Sequence, residues 1–166
     1  MNIILCGMMG VGKTTVGVKI AERSRRRWCD TDDLIVEKHG KISDIFARYG
    51  EEYFRDLETE TVRGLSQEDG LVISVGGGLV LKKENNELLK ANGKIIFLRA
   101  TVQTLLSRLQ ADTSRPLLQN FAETLEEKLT RLLKERTPVY ESVADYIVDV
   151  DEKNPTEIAE EIAALF

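Results

Sequence analysis

The sequence lacks the features that mark several classes of protein. It contains only two cysteines, Cys6 and Cys29, which form no disulfide framework and have no metal-ligand spacing, so we expect buried free thiols in a reducing compartment. We also expect no cleavable signal, and no apolar segment approaches the ~20 residues that a membrane span needs. These absences predict a cytoplasmic protein without a membrane partner.

The chain also has fewer basic than acidic residues. The chain has 23 Lys and Arg against 28 Asp and Glu, and its net charge of −5 disfavours non-specific binding to nucleic acid. The one basic run, Arg25-Arg26-Arg27, falls where the first predicted helix ends, a usual place for cations. No nucleic-acid partner is expected. With 166 residues and 42% apolar content, the chain is predicted to form one domain, 1–166, that is also a monomer.

The most informative stretch is the glycine-rich segment from Gly7 to Thr14, which fits the pattern G-x-x-x-x-G-K-[ST]. The apolar run 3–6 precedes it and a helical pattern follows it, which is the strand–loop–helix context of a P-loop. The glycines let successive backbone N–H groups face a phosphate, and the helix N-terminus adds positive potential. Lys13 carries charge to the outer phosphates, and the Thr14 hydroxyl is placed to hold Mg²⁺. The segment predicts that the chain binds a nucleoside triphosphate.

Strands and helices are predicted to alternate along the chain in the order β-α-β-α-α-β-α-β-α-α-β-α. This order predicts an α/β fold with three α/β/α layers and a five-stranded parallel sheet. Ser43 is expected to cap a short helix that Gly50 ends, and a helix that begins at Phe121 is expected to end at Pro138. The strands are predicted at 2–6, 27–29, 71–75, 94–98 and 146–150.

Polar and glycine-rich segments follow two of the strands, at the sheet edge where ligands gather in open α/β folds. Asp30, Asp32 and Asp33 follow the second strand, and one of them is expected to cap the next helix. The run Gly76-Gly77-Gly78 follows the third strand, where the backbone must bend sharply or meet a ligand or another backbone closely. Both segments are candidates for substrate contact.

Two arginines stand in less informative contexts. Arg55 begins a long predicted helix, where an arginine is usually a solvated surface group. Arg115 is the only cation of a polar segment at about 110–121, which fits a closing lid and a plain surface loop equally well. Neither position is assigned from its local pattern.

The second motif of a P-loop protein indicates its class. The chain has no [NT]-K-x-D tetrapeptide of the kind that GTPases use, and its third strand ends in Ser74-Val75 rather than the Asp of ATPase motors. Kinases of the nucleoside-monophosphate type place substrate contacts after the second strand, in the following helices and in a lid, and this layout matches them. The chain is therefore predicted to be a small-molecule kinase.

Over essentially its whole length the chain resembles the shikimate kinases. The resemblance implies transfer of the ATP γ-phosphoryl group to the 3-hydroxyl of shikimate, a step toward aromatic amino acids, with Mg²⁺ as cofactor. It rests on the order and spacing of short segments: Gly7–Thr15, Asp30–Asp32, Phe54-Arg55 with Glu58, Val75–Gly78, Arg115–Leu118, Arg136–Tyr140 and Asn154-Pro155.

The resemblance implies roles on the side of the acceptor. Asp32 resembles the residue that binds the shikimate hydroxyls and accepts the proton of the attacking one. Arg55 and Arg136 resemble the pair that clamps the substrate carboxylate, a geometry that bidentate guanidinium groups suit. The turn Gly76–Gly78 would offer bare backbone to the substrate, and the substrate-binding helices would span about 32–62.

The resemblance also implies roles on the side of the nucleotide. Asp30 would orient Mg²⁺ through water, with Thr14 as a direct ligand, and the lid residue Arg115 would join Lys13 and Asp32 as catalytic residues. Lys153 stands where an arginine is frequent in the family. The residues implied to bind ATP are Gly10, Val11, Gly12, Lys13, Thr14, Thr15, Arg108, Arg115, Lys153 and Pro155.

Three other classes of protein are alternatives to a shikimate kinase. Gluconate-type kinases usually have Asp-Gly-Asp and a nearby His-Pro, whereas here Asp30-Thr31-Asp32 is followed by Asp33, and the only histidine, His39, precedes Gly40. Adenylate kinases would show a Gly-Phe-Pro-Arg-like element, which is absent. A catalytically silent relative would typically lose the P-loop lysine, the aspartate after the second strand or the lid arginine, and this sequence keeps all three.

Overall fold

The computed structural model of the protein describes residues 1–111 and 123–166. Within them, strands and helices follow the predicted order. The strands are β1 (Asn2–Cys6), β2 (Arg27–Asp30), β3 (Leu71–Ser74), β4 (Gly93–Arg99) and β5 (Tyr146–Asp149). The helices are α1 (Lys13–Ser24), α2 (Thr31–His39), α3 (Ile42–Leu65), α4 (Lys83–Ala91), α5 (Val102–Ala111), α6 (Leu125–Val143) and α7 (Pro155–Ala163), with a 3-10 turn at Leu79–Leu81. Arg115 and nearly all of the predicted lid lie outside the described residues.

The sheet has the strand order β2-β3-β1-β4-β5, and all neighbouring strands are parallel. Every residue of β1 and β3 is buried, so helices must cover both faces of the sheet. The core residues that pack on these strands come from six helices and include Ile20, Val62, Leu89, Leu105, Leu129 and Ile158. The predicted three-layer α/β fold is confirmed.

A smaller apolar cluster joins α2 to α3. It consists of Ile35, Ile45, Phe54 and Leu57. Gly50, with φ of 84°, interrupts α3 where the sequence predicts a helix end. The expected Ser43 cap is wrong, because the N-cap residue is Lys41 and makes no side-chain capping bond. Helix α3 therefore consists of two helical segments that meet at Gly50.

Helix α6 runs past the point where the sequence predicts its end. It starts at Leu125 with Thr124 as its cap and continues through Pro138 to Val143, so the predicted end at Pro138 is wrong. A proline inside a helix costs roughly 3 kcal/mol because it removes a backbone donor. Tyr140, fully buried beyond the proline, contributes apolar burial that offsets this cost.

Both cysteines are free thiols, as expected, although only Cys6 is fully buried and Cys29 is half-buried. Burial raises the pKa of Cys6 to about 12 and that of Cys29 to about 11. Of the helices that the structure describes, none has both the length and the apolar character to cross a bilayer.

Candidate active site

The loop between β1 and α1 depends on glycine at three positions. Gly7, Gly10 and Gly12 have φ of 144°, 82° and 102°, a region that other residues rarely adopt. A Cβ on Gly7 would also lie 2.6 Å from the carbonyl oxygen of Leu98, and one on Gly10 would lie 2.8 Å from Leu109. The loop can therefore follow this path only with its own glycines.

A cavity of about 440 Å³ lies in front of this loop, at the carboxyl ends of the central strands. Within it, the Lys13 ammonium group donates to the carbonyl oxygens of Gly7 and Met8 at 2.8 and 3.1 Å, so the loop curls around its own lysine. The cavity brings together residues predicted to bind the nucleotide, the metal and the acceptor: Gly10, Gly12, Lys13, Thr14, Thr15, Asp30, Asp32, Gly76, Gly77, Arg108 and Pro155.

Asp30 is the aspartate that caps α2. Its Oδ1 accepts the backbone N–H groups of Asp32 at 2.8 Å and of Asp33 at 3.3 Å. Burial, together with the neighbouring charge of Asp32, raises the pKa of the Asp30 carboxyl group. A bound cation would offset both effects. One carboxylate oxygen thus holds the helix start while the group as a whole faces the cavity.

The donor set suits magnesium. Mg²⁺ keeps several waters and is usually bound through one or two carboxylates together with substrate phosphates. Thr14 and Asp30 line the same cavity as Lys13, which provides that arrangement. Over residues 1–111 and 123–166, no three histidine, cysteine or acidic side chains form a metal-binding cluster.

The turn Gly76–Gly78 is surrounded by the side chains that are predicted to bind the phosphoryl acceptor. A Cβ on its first glycine would lie 2.9 Å from Oδ1 of Asp32, and one on its second glycine 3.1 Å from Nη1 of Arg136. A Cβ on its third glycine would lie 2.7 Å from both terminal nitrogens of Arg55. The structure therefore brings Asp32, Arg55 and Arg136 together around bare backbone.

Glu58 holds Arg55 in this position. Its side chain is 1% exposed, and its Oε1 accepts from Nη1 of Arg55 at 2.7 Å, while its Oε2 has no hydrogen-bond partner among the described residues. Burial raises the pKa of Glu58, and the bond from Arg55 opposes that rise. Sequence reasoning gave Glu58 no role, although its spacing from Arg55 places both on one face of α3.

Tyr140 is a second residue that sequence reasoning missed. Its hydroxyl donates to the carbonyl oxygen of Gly77, and burial raises its pKa to about 12. Tyr140 lies one helical turn after Arg136, so helical spacing would have indicated it, but the helix was predicted to end between them.

The structure brings together some, but not all, of the residues that are predicted to bind the nucleotide. Val11 is fully buried, and its carbonyl oxygen accepts from Nη1 of Arg108 at 2.6 Å. Pro155 is the first residue of α7, behind the Asn154 capping box. Lys153 does not line the cavity, because its ammonium group donates to Glu161 on α7 at 2.6 Å.

Known proteins resemble this chain over nearly its whole length. The family model described as "SKI: Shikimate kinase" matches residues 9–166. The "Shikimate kinase" of Sulfurihydrogenibium sp. (strain YO3AOP1) is 43% identical over 97% of this chain and 95% of the relative. A structure of shikimate kinase from Acinetobacter baumannii in complex with shikimate superposes with a TM-score of 0.90 at 40% identity, covering 99% of this chain and 91% of that one. The structure from Bacteroides thetaiotaomicron gives a TM-score of 0.91 at 30% identity, with 99% and 97% covered.

Proposed function

The chain belongs to the shikimate kinase family, and on that premise we propose that it transfers the γ-phosphoryl group of ATP to the 3-hydroxyl of shikimate. The products are shikimate 3-phosphate and ADP, in a step of chorismate and aromatic amino-acid biosynthesis. The observation that carries the proposal is the meeting of Asp32, Arg55 and Arg136 around the turn Gly76–Gly78, beside the P-loop.

On the acceptor side, Arg55 and Arg136 bind the carboxylate of shikimate and fix the orientation of its ring. Phosphoryl transfer requires in-line placement and charge neutralisation more than covalent assistance, so this orientation is a large part of catalysis. Asp32 holds the ring hydroxyls and accepts the proton of the attacking one. The backbone of Gly76–Gly78 lets the ring lie close to the sheet edge.

On the donor side, the loop amides of residues 10–15 and the Lys13 ammonium group hold the phosphates of ATP. Thr14 and Asp30 hold Mg²⁺, which when bound neutralises phosphate charge. Arg108 and Pro155 border the adenine, and Lys153 reaches it only by leaving Glu161. Arg115 lies outside the described residues, and its role at the phosphates is assigned from its resemblance to the family's lid arginine. A lid of that kind would exclude water as a competing acceptor.

We also propose a domain organisation, an oligomeric state and a cellular location for the protein. The chain 1–166 acts as one kinase domain, with acceptor-binding helices at about 32–62, and works as a monomer because both substrate sites are built from one chain. A cytoplasmic location suits an enzyme that consumes ATP and carries free thiols.

The test is a coupled assay of ADP release with ATP and Mg²⁺ and either shikimate, gluconate or no acceptor. Turnover with shikimate alone, abolished by Asp32→Asn, is the expected result. Turnover with gluconate alone would assign the chain to a sugar-acid kinase instead. Nucleotide binding without turnover on either acceptor would identify a binding module that has lost catalysis.

A further inference from the structure

The segment between β5 and α7 is tied by one side chain to the start of α5. Oδ1 of Asp151 accepts the backbone N–H of Thr101 at 3.1 Å and its hydroxyl at 3.0 Å. The same oxygen accepts the hydroxyl of Thr104, one turn further along α5. Asp151 thus accepts hydrogen bonds from Thr101, the residue before α5, and from Thr104 in the first turn of α5, although it is distant from both in sequence.

Asp151 joins α5 to the segment between β5 and α7. Each of these elements leads to a residue that lines the cavity, at the end where we place the nucleoside. The last turn of α5 contains Arg108, which lines the cavity and donates to the carbonyl oxygen of Val11. The segment after Asp151 leads to Pro155, which lines the cavity from the first turn of α7. The separation of these two walls therefore depends on how α5 and the β5–α7 segment are held together.

The segment itself is held in a constrained path. Glu152 has φ of 60°, which is uncommon for a residue other than glycine, and the N–H of Lys153 closes a turn onto the carbonyl oxygen of Val150 at 3.2 Å. Burial acts to raise the pKa of Asp151, but the bonds from Thr104 and Thr101, with the charge of Arg108, hold that pKa below its usual value. Asp151 is accordingly a charged acceptor at neutral pH, and charge-assisted bonds are the stronger kind.

We propose that Asp151 is a positioning residue for the nucleotide half of the site, fixing the spacing of Arg108 and Pro155 for the nucleobase of ATP. The inference rests on the proposed function, because it takes ATP as the occupant of the cavity. Asp151 is not among the described residues that line the cavity, so its removal should weaken nucleotide binding and leave acceptor binding unchanged.

The experiment compares Asp151→Ala, Asp151→Asn and Thr104→Val with the wild type by calorimetric titration with ADP and by steady-state kinetics. Asp151→Ala should raise the Kd for ADP and the KM for ATP about tenfold, the size expected from loss of a hydrogen bond to a charged group, with the KM for shikimate within about twofold. Asp151→Asn keeps an acceptor oxygen and should recover most of the affinity. Thr104→Val removes one hydroxyl at constant shape and should raise the Kd about threefold even if the alanine variant fails to fold.

Asp145→Ala is the matched control. Its carboxylate accepts the N–H of Ile95 at 2.8 Å and likewise joins neighbouring elements, but it precedes β5 at the amino ends of the strands, away from the cavity. This variant should lower the melting temperature without changing the Kd for ADP. Equal effects of the Asp145 and Asp151 variants on Kd, or parallel changes in both KM values, would overturn the proposal. The titration with ADP needs no acceptor, so failure of shikimate turnover would be recognised separately.

Discussion

Tyr140 donates its hydroxyl hydrogen to the carbonyl oxygen of Gly77 at 2.5 Å, which attaches α6 to the turn after β3. Arg136 lies one turn earlier on the same helix, with Nη1 3.1 Å from the Cβ position of Gly77. The bond therefore holds the Arg136 guanidinium group, which we propose binds the substrate carboxylate, at a set distance from the backbone of the glycine turn.

Replacing Tyr140 with phenylalanine should disturb that distance. The variant leaves the half-buried carbonyl of Gly77 without its donor, so we expect a loss of about 1 kcal/mol in the free energy of unfolding. The KM for shikimate should rise several-fold, whereas the KM for ATP should not. Tyr146→Phe, at a partly exposed ring, is the control and should change neither quantity. Unfolding in urea and steady-state kinetics measure both.

Gly78→Ala tests whether the turn must be bare. Gly78 has an ordinary φ of −98°, so the substitution introduces no backbone strain, but its Cβ would lie 2.7 Å from both terminal nitrogens of Arg55. The displaced guanidinium should raise the KM for shikimate about tenfold, as expected for a misplacement below 1 Å. Gly64→Ala on α3, where a Cβ meets nothing within 4 Å, should leave kinetics unchanged and the helix no less stable. A Gly78→Ala enzyme with an unaltered KM for shikimate would contradict the assigned role of Arg55.

Arg55→Lys separates charge from shape. Lysine keeps the positive charge but cannot bind a carboxylate through two parallel bonds while also bonding Glu58. We expect kcat/KM for shikimate to fall about 100-fold, which corresponds to ~2.7 kcal/mol. Arg63→Lys is the control on the same helix, because Arg63 pairs with Glu84 at the exposed surface. Comparable losses in the two variants would show that the effect is general to the helix.

Asp30→Asn should improve stability and impair activity at the same time. Asparagine still caps α2, but it removes a carboxylate whose pKa is raised in the folded state. With a raised folded pKa, the unfolded chain ionises first as pH increases, so the wild type loses stability as pH rises from 3.8 through the higher folded value. The stability of the variant relative to the wild type, without ligand, should therefore increase over that window and then level off.

The same variant should lower Mg²⁺-dependent turnover at least about tenfold, because a carboxylate near the metal is lost. Asp33→Asn, at the exposed neighbour in the same helical turn, is the control for both readouts. A stability difference between Asp30→Asn and wild type that does not vary with pH would contradict the buried, charged state of Asp30.

The sequence predicted most of the fold because the fold depends on local patterns. The buried strands are continuous apolar runs, and the P-loop glycines have conformations that few other residues adopt, so both can be read without knowing their neighbours. The end of α6 could not be predicted in this way. Pro138 disfavours a helix locally, and only the burial of Tyr140 in the assembled core outweighs that preference.

The site was predicted in part from pattern and in part from resemblance. The three aspartates after β2 indicated function by their number, but which of them caps α2 depends on where the helix starts. Arg55 carries no local signal at all, because its role arises from a turn that is distant in sequence and from the buried Glu58. Contacts of this kind become visible only when the chain is folded.

The parallel pairing of β1 with β3 has a consequence for how acceptor preference can change in such proteins. The P-loop follows one of these strands and the glycine turn follows the other, and backbone bonds hold neighbouring strands about 4.8 Å apart. The spacing between the P-loop and the glycine turn is thus held by main-chain hydrogen bonds between β1 and β3. Sequence changes in α2 and α3 can therefore adapt the site to a different acceptor while the spacing between the P-loop and the glycine turn stays the same.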